Sequence, residues 1–116
     1  MKRVSELTEP EVLALAITSE EEDSQIYLSF ANRLRADYPA TAAIFDGMAE
    51  EENEHRRRLI DMFEQRFGKV IPLVRREHVA GYYSRRPVWL VKNLGLDRIR
   101  DEAARMEDEA AAFYLE

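Results

Sequence analysis

Four side chains in this sequence are the candidate ligands for a transition metal: Glu20, Glu52, His55 and Glu107. Glu52 and His55 are three residues apart, so a helix through them puts both on one face. A carboxylate and an imidazole placed that way bind one ion together. The chain has no cysteine, which excludes disulfides, thiolate zinc sites, iron–sulfur clusters and cysteine nucleophiles. Any metal is therefore held by oxygen and imidazole nitrogen, a donor set suited to iron or manganese, with zinc possible.

Two long helices must position these groups. The first opens at Leu7-Thr8-Glu9-Pro10-Glu11-Val12, where Thr8 and Glu11 have the spacing of a capping box, Leu7 and Val12 that of a hydrophobic staple, and Pro10 falls in the harmless first turn. It is expected to run to about Arg35, before the turn Ala36-Asp37-Tyr38-Pro39. The second runs from Pro39 or Thr41 to Phe67, with Gly68 as its stop. Pro72, Gly81, Pro87 and Gly95 punctuate the next stretch, which is read as a long connection with a short helix near Val74–Tyr83. A third helix begins near Leu96 or Asp97 and is still running at Glu116. No β-hairpin signal appears, and the predicted class is all-α.

An E-x-x-H tetrapeptide alone carries little information, because glutamate is common in helices. Position carries more. On the first helix the apolar stripe is Leu13, Ala16, Ile17, Glu20, Ser24, Tyr27, Ala31 and Leu34, with Glu20 in its middle. On the second it is Phe45, Met48, Glu52, His55, Leu59, Met62 and Phe63. Only one member of each acidic run, Glu20–Asp23 and Glu50–Glu54, falls on a stripe. A carboxylate on a core face demands a compensating cation or hydrogen bonds; the bland alternative is an acidic run on a solvated face.

Ala16, Glu20, Glu22 and Tyr27 recur as Ala103, Glu107, Glu109 and Tyr114, each pair offset by the same 87 positions. The first and third helices therefore read as copies, each a glutamate followed seven residues later by a tyrosine. Tyr27 and Tyr114 are placed to hydrogen-bond ligands or to take part in electron transfer; otherwise each is a buried aromatic with a satisfied hydroxyl. His78 lies outside both stripes and reads as a surface residue or as one that supports a ligand from behind. The basic and aromatic segment Tyr82–Lys92 reads as packing on the bundle, with a membrane surface as the alternative partner.

The chain of 116 residues has the length of one domain, and 46% apolar residues are enough for a core. Its net charge of −6 argues against nucleic acid and leaves metal cations open. No signal peptide opens the chain and no apolar run is long enough to span a membrane, so the expectation is a soluble, cytoplasmic protein.

Glu20 with Tyr27, Glu52-x-x-His55, and Glu107 with Tyr114 resemble the rubrerythrin branch of the ferritin-like superfamily. Leu13-Ala14-Leu15-Ala16-Ile17, Glu50-Glu51-Glu52-Asn53-Glu54-His55-Arg56-Arg57 and Arg86-Pro87-Val88-Trp89-Leu90-Val91 are similar to the erythrin-type domain of membrane-bound ferritin A. That resemblance implies a ferritin-like bundle over residues 1–116 with a di-iron site, in which Glu20, Glu52 and His55 are ligands and catalytic, Tyr27 assists, and Glu107 is a further ligand. It implies oxidation of ferrous iron by oxygen or peroxide, in iron export and peroxide resistance. In that family the domain precedes a vacuolar-iron-transporter-like module at the inner membrane.

The chain departs from the family in lacking a fourth helix with a second Glu-x-x-His. It is accordingly expected to be a domain truncated in its third main helix and completed by dimerisation. Two copies of Glu20, Glu52 and His55 across a two-fold axis supply four carboxylates and two imidazoles, the complement of a di-iron site. Two rivals remain: a metal sensor or store without turnover, and a metal-free helical dimerisation module with its glutamates paired to arginines.

Overall fold

The computed structural model of the chain describes residues 2–76, 79–80 and 95–115. Three helices build the fold: α1 (Glu9–Leu34), α2 (Pro39–Phe67) and α3 (Leu96–Leu115). A two-residue strand, β1 (Lys2–Arg3), pairs in parallel with β2 (Val79–Ala80), and a 3-10 turn, Val4–Glu6, leads into α1. The class is all-α, as the periodicity requires, and the short ladder is an addition that no sequence pattern announced.

Both helix starts follow from local chemistry. The Thr8 N–H donates to Glu11 Oε1 at 3.0 Å and the Glu11 N–H to Thr8 Oγ1 at 3.3 Å. This reciprocal box satisfies two of the donors a helix N-terminus leaves open. Pro39 opens α2, where its missing N–H costs nothing. Gly68 ends α2 with φ +93°, a conformation that side chains other than glycine's seldom adopt, and its N–H donates to the Glu64 carbonyl at 3.1 Å. The α1–α2 turn is held by Arg35, whose guanidinium donates to both oxygens of Asp46, at 2.8 and 3.1 Å.

The core lies between α1 and α2. Ile26, Tyr27, Phe30, Ala31 and Leu34 meet Ala42, Phe45 and Ala49, and α3 closes the cluster with Ile99, Ala103 and Met106. The Phe45 ring stacks on Tyr27 at 6.2 Å between centroids and meets Phe30 edge-on at 5.7 Å. A smaller cluster lies toward the start of α1, where Leu7, Ile71 and Val74 cover Ala14 and Leu15.

The short helix expected near Val74–Tyr83 is corrected at 74–75 and 79–80, while 77–78 and 81–83 lie outside the described residues. Ile71–Arg75 are non-helical and Val79–Ala80 form a strand. Pro72 opposes helix here, and the backbone finds other partners: Thr18 Oγ1 donates to the Val74 carbonyl at 2.5 Å, and β2 pairs with β1. Residues 71–76 run as a strap along α1. His78 and the segment Tyr82–Lys92 lie outside the described residues. Among the described residues, no helix is long and apolar enough to cross a membrane.

Candidate metal centre

Of the α1 stripe read from the sequence, every residue but Leu13, which is half-buried, turns inward. Ala16, Ile17, Glu20, Ser24, Tyr27, Ala31 and Leu34 are all buried, with Glu20 only 5% exposed. One turn beyond Glu20, Ser24 Oγ donates to the Ala49 carbonyl of α2 at 3.0 Å. The small side chain of Ala49 permits that approach and brings the next turn of α2, with Glu52 and His55, up to Glu20.

One ligand atom from each of Glu20, Glu52 and His55 lies within 4.8 Å of the other two. His55 Nδ1 stands 3.8 Å from Glu20 Oε2, beyond hydrogen-bond length. The two helices thus converge three donors on one point. Glu107 stands outside this group. It is exposed on α3 and accepts a short hydrogen bond from the hydroxyl of Tyr27, which is itself buried. Tyr27 and Glu107, members of the two repeat copies, therefore join α1 to α3. The Tyr114 side chain is outside what the structure describes.

The α2 stripe is corrected in one respect. Phe45 and Phe63 are buried against α1, but Met48, Glu52 and Leu59 are half-buried, and His55 and Met62 are exposed, the His55 side chain at 51%. Ile44, Met48, Glu52, His55, Leu59 and Met62 recur at helical spacing on one face. Among the described residues no element covers that face, so the apolar groups flanking the donors stay open.

A pocket of about 230 Å³ opens beside the donors, lined by Glu20, His55, Arg58, Leu59 and Met62. The arginine run divides its work around it. Arg56 Nη1 lies 3.8 Å from Glu21 of α1, Arg57 pairs with Glu54 on its own helix, and Arg58 lines the pocket.

Sequence reasoning missed a buried polar group on the other side of this turn. Arg76, on the strap, reaches Ser19 and Asp23, which bracket Glu20. The available signal was Ser19 and Asp23 themselves, polar at i and i+4 on a helix that buries more than one face.

The sequence model of the Rubrerythrin family matches residues 11–116, from the first turn of α1 through α3. The chain belongs to that family. No curated protein and no solved structure is significantly similar to it. Rubrerythrins typically bind iron, and the residues here fit such an ion. Donors about 2.1 Å from a common ion lie roughly 3.0 Å apart when adjacent and roughly 4.2 Å apart when opposite. The 3.8 Å between Glu20 and His55 falls in that range, and shifts of a few tenths of an ångström bring in the third donor. Two carboxylates and one imidazole also form the oxygen-rich set that iron and manganese favour.

Proposed function

We propose that this rubrerythrin domain binds iron through Glu20, Glu52 and His55 and oxidises ferrous iron with oxygen or peroxide, in iron detoxification and export. The observation that carries the reading is the convergence of these three donors across α1 and α2 in a member of this family. Manganese or zinc would occupy the same donors in iron's place.

When bound, iron supplies the one-electron chemistry between the ferrous ion and the oxidant. The chain's own residues do the rest. Glu20, held in the core, presents a carboxylate that cannot move far; Glu52 and His55, on the open face, adapt to the ion. Leu59 and Met62 wall the pocket and limit water at its apolar side, while Arg58 offsets the acidic field for an incoming anion such as hydroperoxide. Tyr27 orients Glu107, which serves as a supplementary ligand or proton acceptor at the α3 side.

One chain offers three converging donors, and the α2 face around them is uncovered among the described residues. A second copy docked on this face by two-fold symmetry completes the set and covers Ile44, Leu59 and Met62. In this reading residues 1–116 are the ferritin-like part of a longer protein, and a membrane iron-transporter module is the partner that receives the iron. The open, three-donor site also favours a second reading, a metal store or sensor without turnover.

Oxygen uptake on adding ferrous iron tests the proposal against that rival. Wild type consumes oxygen in proportion to iron and Glu52→Ala does not. Stoichiometric iron binding without oxygen or peroxide consumption would establish the store instead.

A further inference from the structure

The strap is fastened to α1 by more than apolar contact. Arg76 is 2% exposed, and its Nε donates to Ser19 Oγ at 3.1 Å. Its Nη2 donates to the Ser19 carbonyl and to Asp23 Oδ1, both at 2.9 Å, and its Nη1 stands 3.6 Å from Glu22. Just before it, Thr18 donates to the Val74 carbonyl. Every one of these contacts falls on the α1 residues Thr18–Asp23, the turn that carries Glu20.

Two physical arguments connect this clamp to the metal centre. The first is geometric. Residues on a helix are set about 100° apart, so Ser19 and Asp23 share a face and Glu20 points between that face and α2. Gripping Ser19 and Asp23 together fixes the rotation of α1 about its axis and thereby the aim of Glu20. The second is electrostatic. A buried ion pair is costly to desolvate, and an apolar residue of similar size would fasten a strap as well or better. Arginine has a use here that such a residue lacks, because the turn carries four consecutive acids, Glu20-Glu21-Glu22-Asp23, and a fixed cation offsets their mutual repulsion.

We propose that Arg76 is a positioning residue of the metal centre: through Ser19 and Asp23 it sets the orientation and the charge environment of the α1 turn that presents Glu20. The inference rests on the reading of Glu20, Glu52 and His55 as ligands. Outlying groups that hold ligands in place contribute about ten- to a hundredfold to metal affinity. Arg76 acts through the helix rather than by touching the ligand, so the lower end applies.

Cobalt(II) titration, followed by its visible absorption, tests this on wild type, Arg76→Met, Arg76→Lys and Glu52→Ala, with thermal unfolding of each apo protein measured alongside. Arg76→Met is expected to weaken cobalt binding about tenfold and to alter the band shape while the apo protein remains folded. Arg76→Lys, which keeps the charge but not the fork, is expected to fall between it and wild type. Wild-type cobalt affinity and spectrum in Arg76→Met, with only a lowered melting temperature, would overturn the proposal and leave Arg76 a fastening of the strap. If Arg76→Met does not fold, Ser19→Ala removes one bond of the clamp and is expected to weaken cobalt binding about threefold; unchanged binding there overturns the proposal too. Failure of the underlying reading looks different: wild type itself binds no cobalt, or Glu52→Ala binds it equally well.

Discussion

At the residue scale, the face an acid occupies decides what it does: Glu20 and Asp23 are both buried, but Asp23 turns to Arg76. Glu20 is the member of its acidic run that faces α2, and it could be singled out because Ile17, Ser24 and Tyr27 continue the same stripe. His55 could be named but its surroundings could not, since α2 alone does not say whether anything covers its outer face. Arg76 was illegible for a plainer reason. Its partners are 53 and 57 positions away in sequence, and the strap that delivers it read as a short helix. The Tyr27–Glu107 bond is likewise long-range, although the pattern repeated at an offset of 87 positions marks both residues. Tyr27→Phe removes that bond without disturbing the stacking on Phe45. Because Glu107 is exposed and can rehydrate, the expected loss is about 1 kcal/mol in denaturant unfolding, with α1 still in place. A loss indistinguishable from zero would mean that the hydroxyl contributes nothing to holding α3.

At the element scale, the ends of α1 and α2 were legible because they are written in local code: the Thr8–Glu11 box, Pro39, and Gly68. The connection after Gly68 was not, because its conformation is set by what it touches on α1 rather than by its own periodicity. The turn between α1 and α2 depends on charge. The hydrogen bond from Arg35 holds the Asp46 carboxyl below the usual carboxylate range, against an opposing desolvation and with a smaller contribution from the guanidinium's charge. A carboxyl whose folded pKa is depressed stabilises the fold above its unfolded pKa, and that contribution is lost as the pH falls through the folded value. Asp46→Asn is therefore expected to be less stable than wild type at neutral pH. The difference should close as the solution is acidified below the ordinary aspartate range and through Asp46's lowered folded value. Both groups are solvent-exposed, so the effect is small and shrinks with added salt. A gap that persists unchanged in strong acid would assign the loss to something other than this pair.

At the scale of the whole molecule, the hairpin of α1 and α2 provides the core and α3 adds one flank, while no other described residue covers the α2 face from Ile44 to Met62. Ile44 is 63% and Met62 43% exposed, an apolar pair separated along one helix face by the donors Glu52 and His55. Such a face is either a liability or an interface. On the proposed reading it is an interface whose affinity depends on metal, since ions shared by two copies bind the assembled state and not the separated one. Sedimentation velocity is expected to show a shift toward dimer on adding ferrous iron or cobalt under anaerobic conditions, with no shift in Glu52→Ala. A dimer equally strong with and without metal would keep the interface but detach it from the site. A monomer that still binds metal fully would remove the second copy from the account.

Iron content per chain after anaerobic loading with ferrous iron, measured for wild type and for Glu52→Ala, tests the central claim most directly. About one iron per chain is expected in wild type, hence two per dimer as in a shared di-iron carboxylate site, and none retained in the variant. No iron in either protein, or equal iron in both, would contradict it and leave Glu20, Glu52 and His55 as structural neighbours only.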